Sequence, residues 1–260
     1  MDDRRPLSAR LDRRSSLWLP CLAALGCRRG IPTDGRDTPV VLAHGMFADR
    51  SAMNPIASHL RQQGFTSVHF VDLSPVDGTT RVAPLAAQLD TQIRAILART
   101  AAPKVDVVGY SLGALVARYW LQRSGGKLVA RRFVSLAGPQ HGALGGVLPV
   151  RELARDLRPA SDLLIDLDRD RDPWGSVEVA SFFSPFDVVI LPTETAILQR
   201  SRVIHAFLAP SHHHMSTDAH VLRAIESALS GSSMTIPRTI PTARQLEERV
   251  ERAIRERLHR

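Results

Sequence analysis

Cysteine is nearly absent: the 260 residues contain two, Cys21 and Cys27, and both precede the first motif. The body of the chain therefore has no disulfide framework and no cysteine-based metal site to draw on. Long apolar runs are missing too. The nearest candidate is residues 17–27, with Arg13 and Arg14 before it and Arg28 and Arg29 after it. It is too short to span a bilayer, which takes about 20 residues. Its length suits the apolar core of an export signal, but Pro20 interrupts it and Asp2 and Asp3 open the chain. Export and a plain leader stand as equal expectations, and with them a secreted and a cytoplasmic location. No internal repeat is visible.

Charge is in excess of one sign, but not where a nucleic-acid reader needs it. The formal net charge is +8, of which residues 1–30 carry +4 and residues 238–260 carry +3. A groove reader needs its cations on the folded surface, interleaved with polar or aromatic side chains. Cations on the two ends suit solubilising tails, or tails drawn to a membrane or another polyanion. Nucleic acid is thus not an expected partner, and contact with a lipid interface stays open. Oligomeric state is not legible.

What remains is an ordinary globular composition, 44% apolar and 23% charged. It suits one catalytic domain of roughly 39–230, a leader over 1–38 and a charged tail over 231–260 whose residues 243–258 read as a helix. Along the body, short Val/Ile/Leu runs alternate with helix patterns. Strands are expected at 40–43, 68–73, 105–108, 133–136, 177–183 and 203–208. Helices are expected at about 51–63, 82–99, 112–123 and 217–229, the last with Ser216 as N-cap. Such alternation predicts an α/β fold, a mostly parallel twisted sheet with helices on both faces. Ligands in such sheets sit at the carboxyl ends of the strands. Residues 138–174 break the alternation with a lid-like insertion. Its apolar positions, Leu144, Val147, Leu148 and the stripe Leu153, Leu157, Leu163, Leu164 and Leu167, suit a cover over an acyl groove and plain packing equally.

Chemistry concentrates in Gly109-Tyr110-Ser111-Leu112-Gly113, between a strand and a helix. A hydroxyl lifted out on a sharp strand-to-helix turn needs small residues two before and two after it. Ser111 is then the nucleophile, and the N–H of Leu112 at the helix start can donate to an oxyanion. A second donor is expected from the early strand's loop, His44-Gly45-Met46-Phe47. There Gly45 permits close approach, Met46 is the first choice of donor and Phe47 the second. His44 reads as a buried residue shaping that loop. A serine needs a base, and the cluster His212-His213-His214 before the last helix supplies one. No metal set is completed by that cluster, and neither metal nor cofactor is expected. Asp187, just after a strand and among apolar neighbours, is the fitting acid, because a buried carboxylate needs a partner. Asp162, Asp166, Asp168 and Asp170 read as solvated.

Five stretches, PVVLAHGM, VDVVGYSLGALVARYW, FVSLAGPQHGA, SFFSPFDVVILP and SHHHMSTDAHV, resemble the small class 2 bacterial lipases of the α/β-hydrolase superfamily over about residues 39–229. The resemblance implies the chain order nucleophile, acid, base. It selects His212 as the base, nine residues before Val221, and makes His141 structural. The family's larger calcium-dependent members carry extra Asp ligands that have no counterpart here. The implied function is a triacylglycerol lipase or carboxylesterase acting on an ester or lipid substrate. A thioesterase or acyltransferase on the same residues, and a non-catalytic binding protein of the same fold, are the alternatives.

Overall fold

The structure, a computed structural model, describes residues 35–143 and 152–232. The export-signal stretch, Leu144, Val147 and Leu148 of the insertion, and the tail helix pattern at 243–258 lie outside the described residues.

Six strands form one sheet: β1 (Val40–Ala43), β2 (Val68–Val71), β3 (Val105–Tyr110), β4 (Ala130–Leu136), β5 (Glu178–Phe183) and β6 (Val203–Ala206). Their order is β2-β1-β3-β4-β5-β6, and every pairing is parallel. Burial on both faces explains the unbroken apolar runs. Val41, Val105, Val107 and Phe133 point into one core, with α2 (Val82–Thr100) and α3 (Leu112–Arg123). Val40, Leu42, Val108, Val134 and Phe182 point into the other, with α1 (Asn54–Gln62) and α6 (Ala219–Ser230). The period-2 alternation of the strands sorts neighbouring residues between these cores.

The helices follow from their stripes. In α2, Val82, Leu85, Ala86, Leu89, Ile93 and Ile96 are all buried, at the spacing of one helical face. Arg81, its N-cap, provides no side-chain cap. That end is closed instead from a distance: Asp156 accepts from the Val82 N–H at 2.8 Å and pairs with Arg81. Asp156 belongs to α4 (Leu153–Leu157), which is followed by α5 (Asp162–Asp168).

Several expected boundaries shift: the strand expected at 105–108 runs to Tyr110, the one expected at 133–136 starts at Ala130, and the first helix follows a 3-10 turn at Arg50–Met53. The strand expected over 68–73 stops at Val71, because the Asp72 N–H donates to Gln92 Oε1 and the Leu73 N–H to His44 Nε2. The strand expected over 203–208 stops at Ala206, opposite the last residue of β5. The last helix starts at Ala219 rather than 217, capped by Asp218, which accepts from the N–H groups of His220 and Val221. The Ser216 hydroxyl donates to the His213 carbonyl and so closes the preceding 3-10 turn instead.

Within the insertion, Leu153, Leu157, Leu164 and Leu167 are buried in the core that holds α2 and α3. These four pack against that core. The insertion's acids are also less free than expected. Asp166 and Asp170 pair with Arg123, Asp170 also with Lys127, and Asp168 with Arg118. Among the described residues no helix is long and apolar enough to cross a membrane.

Candidate active site

All six strands run the same way, so their carboxyl ends share one edge, and the residues singled out by the sequence gather there. Ser111 follows β3 and is the N-cap of α3, with φ 55° and ψ −124°. A side chain rarely adopts this backbone, which costs about 1–3 kcal/mol. The surrounding structure enforces it. The Ser111 N–H donates to the Leu136 carbonyl at 2.9 Å. A Cβ on Gly109 would lie 2.6 Å from Ala114 Cα, and one on Gly113 would collide with the carbonyl oxygens of Ala43 and His44. Strand, turn and helix can be this close only because both positions lack a side chain. Two further positive-φ residues, Phe47 and Ala137, follow the neighbouring strands β1 and β4.

The Ser111 hydroxyl lies 2.9 Å from His212 Nε2. His212 Nδ1 lies 2.6 Å from Asp187 Oδ2. The carboxylate can only accept, so Nδ1 carries the proton and Nε2 offers its lone pair to the serine O–H. Asp187 is 3% exposed and His212 13%. The other oxygen of Asp187 accepts from the N–H groups of Val189 at 2.9 Å and Ile190 at 3.0 Å. The buried carboxylate is thereby fully partnered. Of the other histidines in the cluster, His213 and His214 are exposed, and His214 Nδ1 is bonded to the Ser211 hydroxyl at 2.8 Å.

On the opposite side, a Cβ at Gly45 would lie 2.9 Å from Ser111 Cβ, so this loop passes the serine as closely as two chains can. His44 is buried. Its Nε2 accepts from the Leu73 N–H at 3.1 Å. The proton must then sit on Nδ1, which donates to the Gly45 carbonyl at 3.0 Å. In a trans peptide the Met46 N–H points opposite that carbonyl, away from the imidazole. The Phe47 N–H is bonded to the Val76 carbonyl at 3.0 Å. Leu112 heads α3, so its N–H has no carbonyl one turn back within the helix.

Two arrangements were not assigned from sequence. Tyr110, inside the motif, donates its hydroxyl to the His212 carbonyl at 3.1 Å. Burial, with the Asp187 carboxylate nearby, pushes its phenol well above the ordinary range. Arg118 of α3 is buried. It donates to Gln122 Oε1 at 2.8 Å, the Gln140 carbonyl at 2.5 Å and Asp168 at 2.6 Å. His141 joins the same carboxylate at 3.2 Å and the Ile197 carbonyl at 3.0 Å. A charged residue on the buried face of an otherwise apolar helix was the available signal for Arg118. No group of three or more His, Cys, Asp or Glu able to hold a metal occurs among the described residues.

Solved structures share this architecture. Aspergillus fumigatus lipase B matches with a TM-score of 0.62 at 18% identity, over 75% of this chain and 52% of that one. Bacillus licheniformis lipase BlEst2, in its propeptide form, gives 0.64 at 16%, over 76% and 51%. The chain has the α/β-hydrolase fold. It spans about half the length of each of these two proteins. The Pyrococcus furiosus esterase Pf2001 matches at 0.56 and 17% identity, over 76% of this chain and 84% of that one. A family model described as palmitoyl protein thioesterase matches residues 39–164. No curated protein sequence matches.

Proposed function

We propose that the chain is a serine hydrolase that cleaves carboxylic esters through an acyl-enzyme, as a lipase or carboxylesterase does. The observation that carries this is the bonded run from Ser111 Oγ through His212 to the buried Asp187, at 2.9 and 2.6 Å. In it, Ser111 Oγ attacks the ester carbonyl carbon while His212 Nε2 takes its proton. Asp187 holds the tautomer and stabilises the imidazolium. The N–H groups of Met46 and Leu112 receive the oxyanion, Phe47 being committed to Val76. The imidazolium then gives its proton to the leaving alkoxide, and the acyl group stays on Ser111. Water, deprotonated by His212, releases the carboxylic acid and restores the serine.

Exposed apolar side chains favour an apolar acyl chain or a lipid surface as the substrate. Phe47 is 61% exposed beside the Gly45 loop, and Phe186, Val188, Val189 and Leu191 are exposed around Asp187. The thioesterase family model supports a second reading, a thiolate in place of the alkoxide on the same residues. Purified protein assayed on paired p-nitrophenyl esters and acyl thioesters, from acetyl to palmitoyl, tests both. Ester turnover rising with chain length and abolished in a folded Ser111→Ala variant is expected. Turnover that survives Ser111→Ala contradicts the assignment, and thioester turnover far above ester turnover moves the substrate to the second class.

A further inference from the structure

We propose that Tyr110 is a positioning residue for the base: its hydroxyl fixes the His212 backbone against the strand that carries Ser111, and its ring supports the charged imidazole. This rests on the acyl-enzyme reading above. One side chain touches His212 in two independent ways. The hydroxyl reaches the His212 carbonyl at 3.1 Å. The ring centroid lies 5.1 Å from that of the imidazole, with the planes tilted by 30°.

The two contacts have different consequences. Tyr110 is the residue immediately before Ser111, on β3, while His212 comes from a loop 101 residues after the serine. The loop must hold Nε2 at hydrogen-bond distance from Oγ although its neighbours His213 and His214 are exposed. A tether from the nucleophile's own strand to the backbone of the base sets that distance directly. The same carbonyl accepts from the Met215 N–H at 3.2 Å, so the tether also holds the first turn after the histidine. Burial, with the Asp187 carboxylate, raises the phenol and so favours the O–H that donates here.

The ring acts on charge. An aromatic face within about 6 Å attracts a cation, and the imidazole becomes one when it takes the serine proton during the reaction or a proton from solvent in acid. The groups facing the imidazole are Asp187 from the loop after β5, Ser111 from the turn, and Tyr110 from β3. Tyr110 thus adds to the stabilisation that Asp187 gives the imidazolium.

The test uses the full chain as wild type, Tyr110→Phe and Tyr110→Leu. It measures melting, the rate of fluorophosphonate labelling, and kcat and KM on p-nitrophenyl butyrate against pH. Tyr110→Phe keeps the ring and loses the tether. It should label and turn over about 3–10-fold more slowly, with KM and the acid limb of the pH profile unmoved. Tyr110→Leu should be slower still, with the acid limb displaced by about half a pH unit to lower pH. Tyr110→Phe at the wild-type rate overturns the inference. So does an equal loss in both variants with the acid limb fixed, which is the mark of a packing role. Where Tyr110→Leu does not fold, Tyr110→Phe decides. A wild type inert to the probe removes the acyl-enzyme reading and this inference together, and that result is visible before any variant is compared.

Discussion

At Ser111 the backbone and the proposed chemistry pull in opposite directions. A φ of 55° suits glycine, yet a hydroxyl is required there. Ser111→Gly should therefore be inactive but more stable than Ser111→Ala, by about 1 kcal/mol, or roughly 2–4 °C in melting temperature. Equal melting of the two variants would mean the turn is not strained. The neighbouring identities were legible because each is forced by sterics: Gly109 and Gly113 by the closeness of strand and helix, Gly45 by its contact with the serine. Asp187 was legible because a carboxylate among apolar residues demands a partner. Tyr110 was not, since an aromatic side chain on a buried strand reads as core whatever its hydroxyl does. His212 was separated from His213 and His214 by resemblance, and no property of the three residues alone distinguishes them.

At the scale of elements, caps decided where sequence patterns erred. Ser216 and Asp218 are both good N-caps, and the 3-10 turn His213–Ser216 takes the first, leaving the second to α6. Helix α2 shows the opposite case, a long amphipathic stripe with no local cap. Asp156 serves it from 74 residues away, and sequence gives no hint of such a contact. Removing that carboxylate should matter more than its place in a five-residue helix suggests. Asp156→Ala leaves the Val82 N–H without its partner and should cost about 1–3 kcal/mol, read as a lower denaturant midpoint. An unchanged midpoint would show that α2 is held by its apolar stripe alone. The insertion's leucines could not be assigned from periodicity, since a covering helix and a packed one share the same stripe. Burial of Leu153, Leu157, Leu164 and Leu167 assigns them to the core.

Over the whole molecule, the alternation of strand and helix patterns made the parallel sheet and its two covered faces readable, since both-face burial forces unbroken apolar strands. The ion pairs that tie neighbouring strands of the sheet were hidden. Glu178 opens β5 and pairs with Arg132 of β4 and Arg202 before β6. Burial works to raise its carboxyl, but the Arg132 hydrogen bond and the Arg132 and Arg202 charges outweigh it and hold the group below its ordinary value of 4.5. A carboxyl lowered in the folded state stabilises above its unfolded value, and that contribution fades as pH falls through the folded one. Melting temperature should therefore drop as pH falls below that ordinary value, and less steeply in Glu178→Gln. Parallel profiles for the two proteins would assign the acid sensitivity elsewhere.

The central claim is that Ser111, His212 and Asp187 act as one acyl-transfer unit. Intact-mass and peptide measurements after reaction with a fluorophosphonate test it most directly. One adduct per chain, located on Ser111, absent from Ser111→Ala and formed far more slowly in His212→Ala, is the expected result. No adduct on the folded wild type, or an adduct on a different residue, would contradict it.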